Sequence, residues 1–396
     1  MSRVLVVAGL GGLAFAAACV SLSGLSAGVE VTGPIDSGAD VAPAEAATPT
    51  DPCSHATYPP PPLKDDDPLA EVPSFAVAVR EESVTGAIDS GAPIGFDLDG
   101  VCSCFADTST AHAAEPSCIA PEGGAAACDG DGGVDREIDT LLAAYSVPNK
   151  GGAAGPTLLM KVSRYNGRAN DSEVFVGLVA SPGIFDPTSC GQDADAGGSP
   201  PYKPTWKGCD RFALEPTSVF PGTTDPRAYL AAYVSDHVLV VPPTDKPVVF
   251  VVGDSALLAS SAVVVARLVA VDAQLAPIVP APDVGTVFRM EGVAAGRVNV
   301  SEVLRTLARA EAITGGGPLC GFSTFFNTVK NSFVCPGADI ATSPSNDFRG
   351  AVCDALSLAA AFRADPAKFG TARPAPKSAC ADVNDPRYAS FFDCAK

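Results

Sequence analysis

Cysteine content constrains this chain more than any other feature of its sequence. Thirteen cysteines are spread over 396 residues, and twelve remain once the first, Cys19, is set aside. An even number of cysteines favours a scaffold held by disulfides if the chain folds in an oxidising compartment. Spacing predicts the bonds Cys190–Cys209 and Cys320–Cys335 and one bond to the C-terminal tail, and it leaves the other pairings open. The twelve cysteines are Cys53, Cys102, Cys104, Cys118, Cys128, Cys190, Cys209, Cys320, Cys335, Cys353, Cys380 and Cys394.

The N-terminus has the pattern of an export signal. Arg3 supplies a short basic region, Val4–Phe15 is apolar, and small residues lead to Cys19. A cysteine after small residues resembles a bacterial lipoprotein signal, although Ala16 stands where that signal usually has leucine. Residues 1–18 are therefore predicted to be a signal peptide, and Cys19 is predicted to anchor the protein to a membrane through lipid. Cleavage after an Ala-x-Ala site without lipid is the alternative. The expected location is the outer membrane or periplasm of a Gram-negative bacterium.

Export also bears on a local group of four cysteines. Cys102, Cys104, Cys118 and Cys128 have the residue type of a structural zinc site. Zinc sites of this kind are common inside cells, whereas cysteines of exported proteins are mostly oxidised in pairs. Disulfide bonding is therefore the favoured interpretation of this group.

Composition divides the remainder of the chain into three parts. Residues 19–72 are rich in Ala, Pro, Asp, Gly and Thr and have no hydrophobic periodicity, which is typical of a tether. Within it, the proline run Tyr58–Pro62 favours stiff polyproline geometry. Residues 73–370 are expected to fold as one disulfide-stapled β domain, and residues 371–396 form a cysteine-containing tail.

Short apolar runs with alternating polarity predict a mainly β domain. The 38 glycines and 36 prolines favour strands and structured loops over long helices. A hairpin is expected from Thr157–Tyr165 and Glu173–Ala180, because turn-forming residues separate two alternating segments. Further strands are predicted at Ser74–Val79, Tyr229–Val234, Val238–Val241, Val248–Val252, Ala262–Val271 and Val287–Gly292.

Three segments favour helix. Ile138–Tyr145 places apolar residues at helical spacing after an acidic start, and Asn299–Ile313 has a capping pattern and an apolar stripe. Residues 353–370, CDALSLAAAFRADPAKFG, are predicted to form either one helix or a short helix that runs into a last strand. The expected fold is an antiparallel β-sandwich with two to four peripheral helices and several disulfides.

An acidic stretch provides the one metal site that the sequence predicts. Residues 129–135 read DGDGGVD, in which alternating carboxylates and glycines can fold around a hard cation such as calcium. The stretch is not an EF-hand, because apolar residues occupy later ligand positions of that motif. The alternative is that Asp131 or Asp135 only caps the helix that follows. The predicted ligands are Asp97, Asp99, Asp129, Asp131 and Asp135, and Glu137 can supply a further oxygen.

No complete catalytic motif is found in the sequence. Gly253-Asp254-Ser255 after a predicted strand resembles the nucleophile block of GDSL-type esterases, which also need a histidine near the C-terminus. The three histidines, His55, His112 and His237, all precede Ser255, so a β-turn is the favoured interpretation. A pair of carboxylates for glycoside hydrolysis remains open, because sequence gives no separations.

Charge and aromatic content limit the partners of the protein. A net charge of −19 disfavours nucleic acid and anionic membrane surfaces. Membrane contact is therefore expected only through the lipid on Cys19. Trp206 with Tyr202, on a loop closed by Cys190 and Cys209, is a candidate platform for carbohydrate or another envelope component, although loop packing is the commoner role of such residues.

Several motifs together carry a resemblance. These are the AAAC start, the low-complexity tether, FDLDGVCSC with CDGDGGVD, SRYNGRANDSEV, and CDALSLAAAFRADPAKFG. They resemble cysteine-containing predicted lipoproteins of myxobacteria and their relatives, to which no activity is assigned, so the resemblance implies location only. The order of strands also resembles a concanavalin-like or jelly-roll-like sandwich, and fold alone implies no function. The favoured function is a non-enzymatic surface or binding module, calcium-stabilised, and the alternative is a secreted hydrolase acting on carbohydrate or ester.

Overall fold

A computed structural model gives the fold of the larger part of this chain. It describes residues 57–67, 74–83, 94–102, 117–121, 129, 134–138, 155–186, 190, 201–244, 246–252, 255–272, 277, 287–309, 324–348, 350–374 and 391–394. All of these belong to one compact unit, Thr50–Lys396. The predicted signal peptide and Cys19 lie outside the described residues.

Strands make up most of the regular structure. They are β1 (Phe75–Ser83), β2 (Thr157–Ser163), β3 (Asp171–Ser181), β4 (Arg211–Leu214), β5 (Tyr229–Ser235), β6 (Val238–Val241), β7 (Val248–Val252), β8 (Ser255–Val271), β9 (Val287–Asn299), β10 (Ala355–Pro366) and β11 (Lys368–Ala372). Two helices have both ends among the described residues, α1 (Val300–Arg309) and α2 (Thr324–Val329), and a π-helical turn lies at Lys330–Val334 and a 3₁₀ turn at Pro344–Asn346. Glu137 and Ile138 are also helical.

One large antiparallel sheet organises the molecule. Its strand order is β6-β5-β3-β2-β1-β10-β9-β8-β7, and β6 also pairs with β8. The second pairing arises because β8 has 17 residues: Ser255–Ala259 pairs with β7, and Val264–Arg267 pairs with β6. The sheet thus closes on itself, and the predicted mainly antiparallel β fold is confirmed.

Alternation along the strands directs one set of side chains into the enclosed core. Val77, Met160, Val264, Met290 and Phe362 belong to this inner cluster. The helix α1 adds its apolar stripe at the same core, where Leu304 is fully buried. Burial of apolar surface on this scale is the main stabilising contribution to a fold of this size.

Further layers cover the outer face of the sheet at two places. Over β1 to β3, a parallel pair formed by β4 and β11 packs against Ala78, Leu159 and Val179. Over β8 to β10, residues 94–98 pack against Val263, Ala295 and Ala359. The central strands are therefore buried on both faces, which accounts for their nearly continuous apolar sequences.

The helix predicted within residues 353–370 is wrong, although the last strand that one of the two alternatives included is present. This segment forms β10, which lies between β1 and β9, and then β11. All positions of β10 but one are buried. Alanine and leucine have high helix propensity, but propensity is a weak preference that tertiary context overrides. Small alanine side chains here let layers pack closely on both faces of a central strand.

Most of the other secondary-structure predictions are confirmed. The hairpin and all six further strands are confirmed, with β8 and β9 extending beyond the predicted bounds. The helix expected at Asn299 is also confirmed: Asn299 Oδ1 accepts a hydrogen bond from Ser301 N (2.9 Å), which caps α1. The helix expected at Ile138–Tyr145 lies almost wholly outside the described residues. In the part of the chain that the structure describes, no helix has the length and hydropathy needed to span a membrane.

Three disulfides join described cysteines: Cys118–Cys353, Cys190–Cys209 and Cys335–Cys394. The second was predicted, and the third supplies the predicted bond to the C-terminal tail. The predicted Cys320–Cys335 bond is wrong, because Cys335 is bonded to Cys394. Cys102 is disulfide-bonded as well. Since Cys102 and Cys118 are both oxidised, disulfide bonding rather than zinc accounts for them; Cys53, Cys104, Cys128, Cys320 and Cys380 lie outside the described residues.

Residues 57–67, here called the proline strap, are docked on the domain, although the sequence places them in the tether. Their polar groups bind the turn between β2 and β3 through Asp65 and Asp66. Tyr58 packs with the cluster that covers β8 to β10. The folded unit thus includes chain that precedes the predicted boundary at residue 73.

Candidate cation site

Two segments form the candidate site on the outer face of β8 to β10. The first, residues 94–102, is here called the cation loop, and the second is residues 134–138. Ile94 and Phe96 anchor the loop in the apolar cluster above β8 to β10. The segments meet where Asp135 N donates a hydrogen bond to Phe96 O (3.2 Å).

Gly95 permits this close approach. Its φ is +123°, and an added Cβ would lie 2.3 Å from Val134 Cγ1 and 3.1 Å from Ala359 Cβ. No other residue type fits both the backbone conformation and the space. The glycine in the sequence Ile-Gly-Phe-Asp is thus required for the loop to lie against the second segment.

Three of the five predicted ligands meet at this place. Carboxylate oxygens of Asp97, Asp99 and Asp135 all lie within 4.8 Å of one another. Asp135 is 2% exposed, and the other two are half-buried. Oxygens that bind one calcium ion at 2.3–2.6 Å are at most about 5.2 Å apart, so the observed separation fits a shared ion.

Backbone amides hold the three carboxylates in place. Asp97 Oδ1 accepts from Gly100 N (2.7 Å), and Asp99 Oδ1 accepts from Val101 N (2.8 Å). Asp135 Oδ2 accepts from Leu98 N (2.6 Å). The loop backbone therefore orients its own two carboxylates and the one that comes from the other segment.

A buried arginine fixes the loop from below. Arg297 on β9 is 1% exposed, and its Nη2 donates to Leu98 O (2.5 Å). Its Nη1 donates to Ala341 O (2.8 Å) and pairs with Asp347 Oδ2 (2.5 Å). Leu98, the residue between Asp97 and Asp99, is thus held at both its N–H and its carbonyl.

Burial and like charge raise the pKa values of these carboxyls. Burial is the largest cause for Asp99, and it raises the pKa to about 6 against hydrogen bonds from Ser117 and Val101, with further increases from Asp129 and Asp97. The pKa of Asp135 is raised well above its ordinary value by burial and by Asp99 and other neighbouring carboxylates. Two ionised carboxylates about 4 Å apart repel by roughly 4 kcal/mol near a protein surface. The group therefore requires protons or a cation.

Two further residues lie beside the three. Asp129 is close enough to raise the pKa of both Asp99 and Asp135. Ser117 is 5% exposed and lowers the pKa of Asp99, yet its hydroxyl is left without a regular hydrogen bond. Buried hydroxyls are normally satisfied, so this oxygen is a further candidate ligand. Asp131, the fifth predicted ligand, lies outside the described residues.

A second acidic pair lies next to the site. Burial raises the pKa of Glu137 to about 7 and that of Asp339 to about 7. Asp339 accepts hydrogen bonds from Ser357 N (2.9 Å) and Ser357 Oγ (2.5 Å), and Ser357 Oγ accepts from Glu137 N (2.8 Å). Asp339 was not predicted as part of the site, because no motif around it in the sequence indicates that it approaches residues about two hundred positions earlier.

Of the residues considered for catalysis, Ser255 and His237 are described, and each lies in a β-hairpin. Ser255 is the first residue of β8 and pairs with Val252, the last residue of β7, in a hairpin. His237 lies in the tight turn between β5 and β6 with a φ of +63°. His55, His112, Gly253 and Asp254 lie outside the described residues.

The carbohydrate candidates pack within the protein. Trp206 and Tyr202 are partly buried against the cluster beneath β4 and β11, and the Trp206 ring lies 5.8 Å from that of Phe212. Arg80 covers the Trp206 ring at 5.9 Å. These contacts give both aromatic residues a packing role in the outer layer.

Comparison with known proteins adds no identity. No family model, curated protein or solved structure matches the chain. The function therefore has to be inferred from the geometry of the site.

Proposed function

We propose that this protein is an exported, disulfide-braced and lipid-anchored module of the cell envelope, without enzymatic activity, that binds calcium as a structural ion. The observation that carries the proposal is the meeting of Asp97, Asp99 and Asp135 within 4.8 Å, one of them 2% exposed. Hard oxygen ligands of this kind suit calcium.

The ion would join two parts of the chain that are distant in sequence. Asp97 and Asp99 come from the cation loop, and Asp135 comes from the segment 134–138. Ser117 and Asp129 lie beside the carboxylates and would add oxygens. An ion that binds only the folded chain stabilises it by about 2.7 kcal/mol at a concentration of about 100 times Kd.

Export is supported by the disulfides. Disulfides persist in oxidising compartments and are rare in the cytosol, and the chain carries three between described residues. The lipid anchor on Cys19 rests on the N-terminal sequence. It is tested by mass spectrometry of the mature N-terminus, where an unmodified or absent Cys19 would refute it.

Calorimetric titration of the oxidised protein with calcium tests the central part of the proposal. We expect one binding site, and we expect Asp135→Asn to weaken binding at least about tenfold, because it removes a buried negative ligand. Asp236→Asn is the matched control, since Asp236 lies in the exposed turn between β5 and β6. Equal affinity in the wild type and in Asp135→Asn would overturn the proposal.

A further inference from the structure

The proline strap is attached at one end to the cation loop. The ring of Tyr58 packs edge-on against that of Phe96, with centroids 6.1 Å apart. The adjacent Pro59 O accepts a hydrogen bond from Tyr233 on β5 (2.5 Å). The pKa of Tyr233 is raised by burial and by Tyr58, which places the two phenols close together.

At its other end the strap binds the turn between β2 and β3. Asp66 N donates to Asn170 O (3.1 Å), and Asp66 Oδ2 accepts from Asn170 N (2.9 Å). Asp65 accepts two hydrogen bonds from Ser172, one from its N–H (2.7 Å) and one from its hydroxyl (2.9 Å). The two bonds of Asp65 are exposed to solvent, so each contributes little against competing water, whereas the bond that Asp66 Oδ2 accepts is partly buried.

The four prolines of Tyr58–Pro62 connect the two attachments. Polyproline geometry has no internal hydrogen bonds but a narrow range of backbone angles, so it is stiff over several residues. Displacement of Tyr58 would therefore shift the proline run as a unit.

Phe96 belongs to the cation loop and also contacts the proline strap. It immediately precedes Asp97, and its carbonyl accepts the hydrogen bond from Asp135 N. An ion bound by Asp97, Asp99 and Asp135 would add to the apolar contacts that hold Phe96, and Phe96 is the surface on which Tyr58 packs.

We propose that a cation bound by Asp97, Asp99 and Asp135 clamps the proline strap onto the domain, and that loss of the cation releases it. This inference rests on the calcium site of the proposed function. Coupling between two binding events is reciprocal. Undocking of the strap must therefore weaken the binding of the cation by the same factor by which the cation strengthens docking of the strap. Release would lengthen the spacer between anchor and domain by eleven strap residues, or up to about 34 Å at 3.1 Å per residue.

The test uses the oxidised full-length mature protein with calcium alone as the ligand. Lys64 lies exposed within the strap, so trypsin cleavage after it reports release. We expect calcium to slow this cleavage at least about threefold. We expect Tyr58→Ala to abolish the slowing and to weaken calcium binding by a similar factor. Leu63→Ala is the matched control, because Leu63 is in the strap and fully exposed.

The outcomes separate the two proposals. If the wild type does not bind calcium, the proposed function fails and the clamp fails with it. If the wild type binds calcium, but Tyr58→Ala binds it equally well and calcium does not alter cleavage after Lys64, the site stands and the clamp is overturned.

Discussion

At the scale of single residues, the candidate site depends on two positions that are not ligands. Leu98 offers its N–H to Asp135 and its carbonyl to Arg297, which fixes the loop between Asp97 and Asp99. Gly95 allows the loop to reach the segment that carries Asp135. The orientation of the carboxylates thus follows from backbone contacts that the surrounding residues impose.

Replacement of Gly95 tests this dependence. We expect Gly95→Ala to lower the free energy of unfolding by roughly 2–4 kcal/mol, because an alanine there combines a strained φ with a steric clash. Calcium affinity should fall as well. Gly222→Ala is the control, since Gly222 has a φ of +73° but open space around its Cβ position. Urea unfolding measures the free energy of unfolding of the two variants. Equal losses of free energy in both would show that backbone strain alone, without the clash at Val134, accounts for the effect.

At the scale of elements, local pattern predicts local structure. The β2–β3 hairpin and the start of α1 are confirmed, because alternation, turn residues and a capping asparagine act within a few positions of one another. The helix prediction for residues 353–370 is wrong because this segment pairs with β1 and β9, which come from distant parts of the chain. Local pattern also fails to identify partners that are far apart in the sequence. Examples are the pairing of β6 with β8, the Cys335–Cys394 bond and the approach of Asp339 to Asp135.

The candidate site contains residues that the local sequence pattern predicts and one that it does not. The sequence indicated Asp135 because carboxylates alternate with glycines in residues 129–135, and it added Asp97 and Asp99 as a nearby acidic pair that disulfides could bring close. It did not indicate Ser117, whose neighbours have no ligand pattern and whose position depends on the bond between Cys118 and Cys353. Burial, which raises the pKa values of the site, is also a property of the packed fold alone.

At the scale of the whole molecule, early and late parts of the chain meet around the acidic groups. Ser357 from the C-terminal part accepts a hydrogen bond from Glu137, and Asp339 raises the pKa of Asp135. Ala341 accepts a hydrogen bond from Arg297, the residue that also binds the carbonyl of Leu98. The carboxyls there carry raised pKa values, with Asp99 at about 6 and Glu137 and Asp339 at about 7. Ionisation at neutral pH therefore opposes folding when no cation is bound.

This predicts an unusual pH dependence for the metal-free protein. The folded state retains protons up to a pH of about 6 to 7 that the unfolded state loses near its ordinary carboxyl pKa of about 4. These groups therefore stabilise the fold at low pH, and their contribution is lost as the pH rises through about 4 to 7. With a chelator present, we expect a lower urea midpoint at about pH 7.5 than at about pH 5. Asp99→Asn should flatten the difference, and a midpoint that rises across this window would contradict the assignment.

The most direct test of the central claim is to locate the ion. Crystals of the oxidised protein grown with calcium should give an anomalous difference peak bound by oxygens of Asp97, Asp99 and Asp135, each at about 2.3–2.6 Å. Crystals of Asp135→Asn grown in the same way should lack the peak. Wild-type crystals in which the three carboxylates stay together, but the peak is absent or lies on other residues, would contradict the account.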